Sequence, residues 1–158
     1  MKILVINGPN LSRLDIRDSS IYGDLNYSEL KNMIDIAATK HGFQADVRQS
    51  DDEATIIGWL HEAADNNTPV ILNPAAFTHY SYAIRDAAEL VKAPLIEVHL
   101  SNPLSREEFR HTSVISGVAN GTIGGFGPNS YVLGHHRASK SRFEVTKHTR
   151  GTGILGSS

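Results

Sequence analysis

The fold prediction depends first on one segment, Val70-Ile71-Leu72-Asn73-Pro74-Ala75-Ala76-Phe77-Thr78-His79. It begins with a short apolar run, which is typical of a parallel strand buried on both faces. Pro74 ends this strand, because proline lacks the backbone N–H of a sheet ladder and disfavours helical conformation in the residue before it. A turn of small residues follows, and residues 82–91 then show the pattern of an amphipathic helix. Ligands of open α/β sheets bind where strands end and helices begin, so we expect Asn73 and His79 at a binding site.

Four further strands and three further helices are predicted around this segment. The strands are residues 3–6, 43–48, 95–98 and 121–125, and the helices are residues 26–41, with Asn26 or Ser28 as the cap, 51–67 and 129–136. Such alternation with short connections requires right-handed crossovers and a parallel sheet covered by helices on both faces. The spacing favours a flavodoxin-like α/β fold with five strands in the order 2-1-3-4-5. The loops after strands one and three should therefore meet at one crevice.

Two segments lack a periodic pattern. Residues 11–25 are polar and flexible in composition, and connections of that length without regular structure are usually either functional or disordered. Residues 142–158 are rich in Gly, Ser, Thr and basic residues, which predicts a C-terminal tail after a single domain of residues 1–141.

Composition excludes several classes of protein. A chain of 158 residues is long enough for one α/β domain and short for two. A net charge of -2 without a Lys/Arg-rich block gives no electrostatic footprint for nucleic acid. The absence of cysteine excludes disulfides, thiolate nucleophiles and cysteine-ligated metals. No apolar run resembles a signal peptide or a bilayer span, which predicts a cytoplasmic protein without a membrane partner.

Polar side chains suited to chemistry lie at the predicted strand ends and in nearby loops. They are Asn10, Arg17, Tyr22, Asn73, His79, Glu97, His99, Ser101 and Arg110. A zinc site at His79, Glu97 and His99 is one possibility, but the last two lack the helical spacing of a His-Glu-x-x-His motif. Glu97 and His99 fit better as an acid–imidazole pair, in which the carboxylate sets the ring tautomer. A surface salt bridge is the structural alternative for this pair, and a capped turn with an exposed histidine is the alternative for Asn73 and His79.

The fold alone would also permit a flavin- or nucleotide-binding module without catalysis. The loop Asn7-Gly8-Pro9-Asn10 lacks both the spaced glycines of a dinucleotide fingerprint and the lysine of a P-loop. This alternative stays open at the level of the fold, although nothing in the loop supports it.

Several blocks of the sequence match one known family in order and spacing. They are Asn7-Gly8-Pro9-Asn10-Leu11, Arg17, Ile21-Tyr22-Gly23, Arg48-Gln49-Ser50, Asn73-Pro74-Ala75-Ala76-Phe77-Thr78-His79, Ala83-Ile84-Arg85-Asp86-Ala87, Glu97-Val98-His99-Leu100-Ser101-Asn102 and Phe109-Arg110-His111. Together they resemble the type II 3-dehydroquinate dehydratases. The resemblance implies a flavodoxin-like subunit assembled from trimers into a dodecamer. It also implies a dehydration of 3-dehydroquinate to 3-dehydroshikimate in the shikimate pathway, by anti elimination through an enolate, with neither cofactor nor metal.

The resemblance further implies a role for individual residues. Tyr22, assisted by Arg17, would remove the proton from the carbon beside the ketone. His99, oriented by Glu97, would protonate the leaving hydroxyl group. Asn10 would hold a water molecule against the enolate oxygen. The implied substrate-binding groups are Asn73, His79, Arg110, the backbone of Leu100 and Ser101, and Asp86, which would reach a neighbouring subunit's site.

A tyrosine base requires an environment that stabilises the phenolate. A free tyrosine, with a pKa of about 10, is only about one part in a thousand phenolate at pH 7. A nearby guanidinium favours the phenolate, and excluding water strengthens that effect. We therefore expect residues 11–25 to form a lid that carries Arg17 and Tyr22 over the crevice.

The predicted lid departs from the family's usual sequence. Ser12-Arg13-Leu14-Asp15 stands where the family usually has Asn-Leu-Leu-Gly, and Ser19 stands where it usually has proline. A carboxylate near Tyr22 would oppose phenolate formation, whereas a second guanidinium would favour it. We therefore predict that Arg13 and Asp15 compensate one another when the lid is closed.

Overall fold

The computed structural model of the protein describes residues 1–140, which are built around a parallel sheet of five strands. The strands are β1 (Lys2–Asn7), β2 (Gln44–Gln49), β3 (Val70–Asn73), β4 (Leu95–His99) and β5 (Gly121–Gly124). Their order is β2-β1-β3-β4-β5 and all neighbours are parallel, which confirms the predicted flavodoxin-like sheet. Asn7 pairs with Asn73 in the sheet register. The ends of β1 and β3 therefore lie side by side, as predicted.

Helices cover both faces of the sheet. They are α1 (Ser19–Tyr22), α2 (Tyr27–Lys40), α3 (Glu53–Asn66), α4 (Tyr82–Leu90) and α5 (Asn129–Ser139). Short 3₁₀ segments lie at Leu11–Ile16, Ala75–His79, Pro103–Ser105 and Glu108–His111. On β1, Ile3 and Val5 pack toward α2 and α5, whereas Leu4 and Ile6 pack toward α3 and α4. This strand is buried on both faces, so its apolar sequence is continuous rather than alternating.

Side-chain caps set the starts of the two long helices. The Asn26 side chain accepts a hydrogen bond from the Glu29 backbone N–H at 2.8 Å, and its Nδ2 donates to Glu29 Oε1 at 2.9 Å. Asp52 accepts from the Thr55 N–H at 3.1 Å. Of the two candidate caps for α2, the structure uses Asn26. The last helix, α5, continues to Ser139 rather than ending at the predicted residue 136.

Two glycines allow close approaches that shape the end of the sheet. A Cβ atom on Gly8 would lie 2.6 Å from the Pro74 carbonyl oxygen, so only glycine lets the loop after β1 cross the loop after β3. A Cβ atom on Gly134 would lie 3.1 Å from the side chains of Ile71 and Val98, so this glycine lets α5 pack close to the sheet. As a result α5 reaches the same sheet end as the two loops.

The predicted irregular loop at residues 11–25 contains regular structure, and that prediction was wrong. Leu11 and Leu14 are buried and anchor the 3₁₀ segment, while Asp18 Oδ1 accepts from the Ser20 N–H at 2.9 Å and caps α1. Two anchors and one cap are too few to produce a visible hydrophobic period.

The predicted C-terminal tail, residues 142–158, lies outside the described residues, so the domain boundary at residue 141 stays a prediction. Within residues 1–140, no helix has the length and apolarity needed to cross a membrane.

Candidate active site

A cleft opens at the carboxyl ends of β1, β3 and β4, beneath the segment that carries α1. The lining residues are Pro9, Asn10, Leu11, Arg17, Tyr22, Asn73, Ala75, Ala76, His79, His99, Leu100, Ser101, Pro103, Arg106 and Arg110. All the predicted site residues line this cleft except Glu97, which lies behind His99, and Asp86, which lies on the exposed side of α4. The crevice predicted from the strand order is therefore present.

Glu97 and His99 form a buried pair on one face of β4, because side chains two apart on a strand point the same way. His99 Nε2 lies 3.0 Å from Glu97 Oε2, and the two side chains are 11% and 0% exposed. The surface salt bridge considered from the sequence is thus excluded. Since Glu97 occupies Nε2, the second ring nitrogen of His99 is the one available to a ligand.

Three hydroxyl groups surround the Glu97 carboxylate. Thr78 Oγ1 donates to Oε1 at 2.9 Å, Ser113 Oγ donates to the same oxygen at 2.7 Å, and Ser116 Oγ lies 3.2 Å from Oε2. Burial raises the pKa of Glu97, but hydrogen bonds from His99, Ser113 and Thr78 outweigh it, so the pKa is lowered overall. Glu97 is therefore ionised and fixes the orientation of His99.

Tyr22 lies against two guanidinium groups. Arg17 Nη2 donates a hydrogen bond to the Tyr22 hydroxyl, and its guanidinium carbon lies 3.6 Å from the ring centroid. The guanidinium carbon of Arg106 lies 5.1 Å from the same centroid, and Nη1 of Arg106 donates to Ser101 Oγ at 3.3 Å. Burial lowers the pKa of Arg17 and the charges of Arg106 and Arg110 add to this, while Tyr22 opposes it. An arginine remains protonated under such conditions, so the Tyr22 hydroxyl lies in a cationic environment.

Asn73 is buried at the floor of the cleft and is fixed by two hydrogen bonds. Its Oδ1 accepts from the Ala75 N–H at 3.1 Å, and its Nδ2 donates to the Tyr131 hydroxyl at 2.8 Å. Ala75 has a φ of +50°, a left-handed conformation that is unfavourable for alanine and is typical of functional loops. Asn73 caps a turn, which was the alternative role considered from the sequence, and it also lines the cleft.

His79 and Arg110 both contact the ring of Phe109. Nδ1 of His79 donates to the Thr112 carbonyl oxygen at 2.8 Å, which leaves Nε2 for a ligand. Burial lowers the pKa of His79, so the ring is neutral near neutral pH. The His79 ring meets the Phe109 ring edge-on at 5.8 Å, and the Arg110 guanidinium carbon lies 4.6 Å from the Phe109 centroid. Arg110 also forms an ion pair with Glu107.

Asn10 stands at the entrance of the cleft with an exposed side chain. Its φ of +67° is left-handed, a conformation that asparagine tolerates, and its N–H donates to Asp51 Oδ1 at 2.9 Å. The backbone is therefore fixed while the amide group remains available for a water molecule or a ligand.

Arg13 and Asp15, the unusual charges of the predicted lid, pair with one another. Arg13 Nε lies 3.1 Å from Asp15 Oδ1, and the side chains are 58% and 51% exposed. The hydrogen bond from Arg13 lowers the pKa of Asp15. An exposed pair of this kind contributes little to stability, because water and salt screen the two charges. The two charges are adjacent, as compensation requires, and their effect on catalysis stays a prediction.

Sequence reasoning missed several residues of the site. Arg106 lines the cleft, and Tyr131 contacts Asn73 from beneath it. Ser113 and Ser116 reach Glu97 from a connecting loop. The only feature of the sequence that could have indicated these two serines is that both lie within the short segment of residues 112–116. Among residues 1–140, no three His, Asp or Glu side chains are grouped so that they could hold a metal ion.

The match to a family model settles the relationship of the chain to known proteins. A model described as dehydroquinase class II matches residues 1–139. The chain belongs to this family. Dehydroquinase class II relatives are similar over nearly the whole described chain. The 3-dehydroquinate dehydratase of Salinispora tropica is 50% identical over 143 residues, which is 90% of this chain and 100% of that protein. The 3-dehydroquinate dehydratase of Halalkalibacterium halodurans is 53% identical over 131 residues, or 83% and 90% of the two chains.

Solved structures agree with this family assignment. The type II dehydroquinase from Propionibacterium acnes is 46% identical, with a TM-score of 0.85 over 87% of this chain and 95% of that chain. A 3-dehydroquinate dehydratase-like protein from Bifidobacterium longum is 39% identical, with a TM-score of 0.70 over 91% and 99% of the two chains. None of these relatives is named for flavin or nucleotide binding.

Proposed function

We propose that this chain dehydrates 3-dehydroquinate to 3-dehydroshikimate in the shikimate pathway, without a cofactor. One observation carries the proposal: a tyrosine held by arginine and a histidine held by a buried carboxylate line the same cleft. These are the two groups that an elimination requires, a base and an acid. The names of the dehydroquinase relatives supply the substrate.

The proposed reaction begins with the C–H bond beside the ketone. The Tyr22 phenolate, stabilised by Arg17 and Arg106, takes this proton, and the electron pair of the C–H bond passes into an enolate. Collapse of the enolate expels the hydroxyl group, which takes a proton from His99 and leaves as water. The product is a conjugated enone. Tyr22 then loses a proton and His99 regains one from solvent, so the cycle consumes no cofactor.

The remaining residues of the cleft are assigned to substrate binding. The substrate carboxylate accepts from Asn73 Nδ2 and from the backbone of Leu100 and Ser101, which follow β4. Asn10 holds a water molecule at the enolate oxygen. His79 and Arg110 bind ring hydroxyl groups. Support for this arrangement comes from the free donor or acceptor that each side chain presents to the cleft.

The experiment that tests this reaction uses substrate labelled with deuterium in turn at each of the two hydrogens of the CH2 group beside the ketone. Anti elimination by Tyr22 and His99 removes only the hydrogen on the ring face opposite the leaving hydroxyl. We expect the substrate labelled on the face opposite the leaving hydroxyl to lose its deuterium completely and the other to retain it, as measured by mass spectrometry of the product. Loss from both positions, or only from the face that carries the leaving hydroxyl, would contradict the two-residue mechanism.

We also propose a dodecamer built from trimers, in which Asp86 reaches the cleft of a neighbouring subunit. Tyr82, Asp86 and Leu90 repeat every four residues on α4, and all three are exposed in the single chain. Two large apolar side chains thus flank a carboxylate that has no ion-pair partner among residues 1–140. Such a surface is suited to a subunit contact.

Light scattering is expected to give a trimer-based oligomer for the parent chain. Asp86→Ala should lower kcat/KM roughly tenfold, on the scale of one lost charge-assisted hydrogen bond. Asp65→Ala, which removes an exposed carboxylate from α3, is the matched control and should leave kcat/KM unchanged. A fully active monomer would remove the shared site from the proposal.

A further inference from the structure

Tyr131 is a fully buried residue of α5 that joins the ends of two strands beneath the cleft. Its hydroxyl oxygen lies 2.6 Å from Asn7 Oδ1, at the end of β1, and 2.8 Å from Asn73 Nδ2, at the end of β3. Burial raises the pKa of Tyr131, so the hydroxyl keeps its proton at neutral pH.

The direction of these hydrogen bonds follows from the number of available protons. The hydroxyl has one proton, and Asn7 Oδ1 can only accept, so Tyr131 donates to Asn7. It must therefore accept from Asn73 Nδ2. On the other side of the amide, Asn73 Oδ1 accepts from the Ala75 N–H. Two independent partners thus select one of the two possible orientations of the Asn73 amide.

We propose that Tyr131 is a positioning residue for substrate binding, which acts by fixing the Asn73 amide with one N–H left for the ligand. Asn73 lines the cleft, and its second Nδ2 hydrogen has no partner among residues 1–140. The site therefore presents a donor, which recognises a carboxylate or a carbonyl oxygen and disfavours a hydrogen-bond donor at the same place. The inference rests on the proposed substrate-binding role of Asn73.

Tyr131→Phe tests the inference, because it removes one oxygen and leaves the ring in place. The variant leaves Asn73 Nδ2 without its buried acceptor and lets the amide reorient. We expect KM for 3-dehydroquinate to rise roughly tenfold or more. We expect kcat to stay within about threefold of the parent value, since loss of a binding group alone raises KM without changing kcat. Tyr80→Phe is the matched control, because it deletes the hydroxyl of a tyrosine that is 58% exposed and lies outside the cleft. It should retain the parent KM.

A merely structural role for Tyr131 predicts a different pattern. It would lower the melting temperature and the active fraction of the protein, and thus kcat, without raising KM. That result would overturn the inference.

A double-mutant cycle with Asn73→Ala separates the inference from the proposed function. If Tyr131 acts through Asn73, Tyr131→Phe should change KM by less than about twofold in the Asn73→Ala background. Additive effects on KM would overturn the inference and leave the role of Asn73 intact. Parent-like KM in Asn73→Ala would instead overturn the binding role of Asn73, and the inference with it.

Asn7→Ala provides a second variant, which keeps the question testable if Tyr131→Phe does not fold. It removes the acceptor that directs the Tyr131 proton, so the hydroxyl can turn toward Asn73 and compete for the amide orientation. KM should rise, by less than in Tyr131→Phe. An unchanged KM in folded Asn7→Ala would show that the proton direction does not matter and would contradict the inference.

Discussion

Tyr22→Phe is expected to lower kcat at least about a hundredfold while the protein remains folded, because a positioned base contributes on this scale. The variant removes only the oxygen that accepts the hydrogen bond from Arg17. The ring, which is buried against the cleft and stacks with two guanidinium groups, is retained. Initial rates followed by the ultraviolet absorbance of the enone product provide the measurement.

The control for this prediction is Tyr80→Phe, which deletes the hydroxyl of a tyrosine that is 58% exposed and outside the cleft. It should retain the parent kcat. If Tyr22→Phe also keeps most of its activity, Tyr22 serves packing alone and the base must be sought elsewhere in the cleft.

His99→Ala is expected to lower kcat by roughly a hundredfold to ten-thousandfold, the range for a positioned general acid. Glu97 would lose one hydrogen bond but would keep those from Thr78 and Ser113, so we expect the variant to fold. The loss should shrink for a substrate analogue with a better leaving group, because such a group needs less protonation as it departs. Rates for both substrates with the parent and the variant give this comparison.

Circular dichroism and a His61→Ala control accompany the His99 measurement, since His61 is exposed on α3. An equal loss of rate for the two leaving groups would show that His99 does not protonate the departing oxygen. A His99→Ala chain that is unfolded would assign His99 to stability.

The sheet could be predicted from the sequence because its strands are short apolar runs ended by residues that break regular structure. Pro74 after β3 is the clearest case. Once the strand order is known, the loops that meet are fixed by topology, which brings Asn10 and Asn73 to one cleft. Glu97 and His99 could be paired for a similarly local reason, since residues two apart on a strand share a face.

The parts of the site that were missed depend on packing between distant elements. Arg106 and Tyr131 have no local feature that points to the cleft, and only the docking of a 3₁₀ segment and of α5 brings them there. The structure within residues 11–25 was missed for a different reason. Its two buried anchors, Leu11 and Leu14, and its cap, Asp18, form a pattern too short for periodicity to detect.

The hydrogen bond between Tyr131 and Asn7 joins residues that are 124 positions apart in the chain. Contacts of such large sequence separation carry a high loop-closure entropy and tend to form late in folding. Because synthesis proceeds from the N-terminus, β1 and β3 leave the ribosome long before α5. A nascent chain can therefore assemble most of its sheet while the ends of β1 and β3 still lack their common hydroxyl partner. The Asn73 amide is therefore fixed only when α5 docks, after most of the sheet has formed.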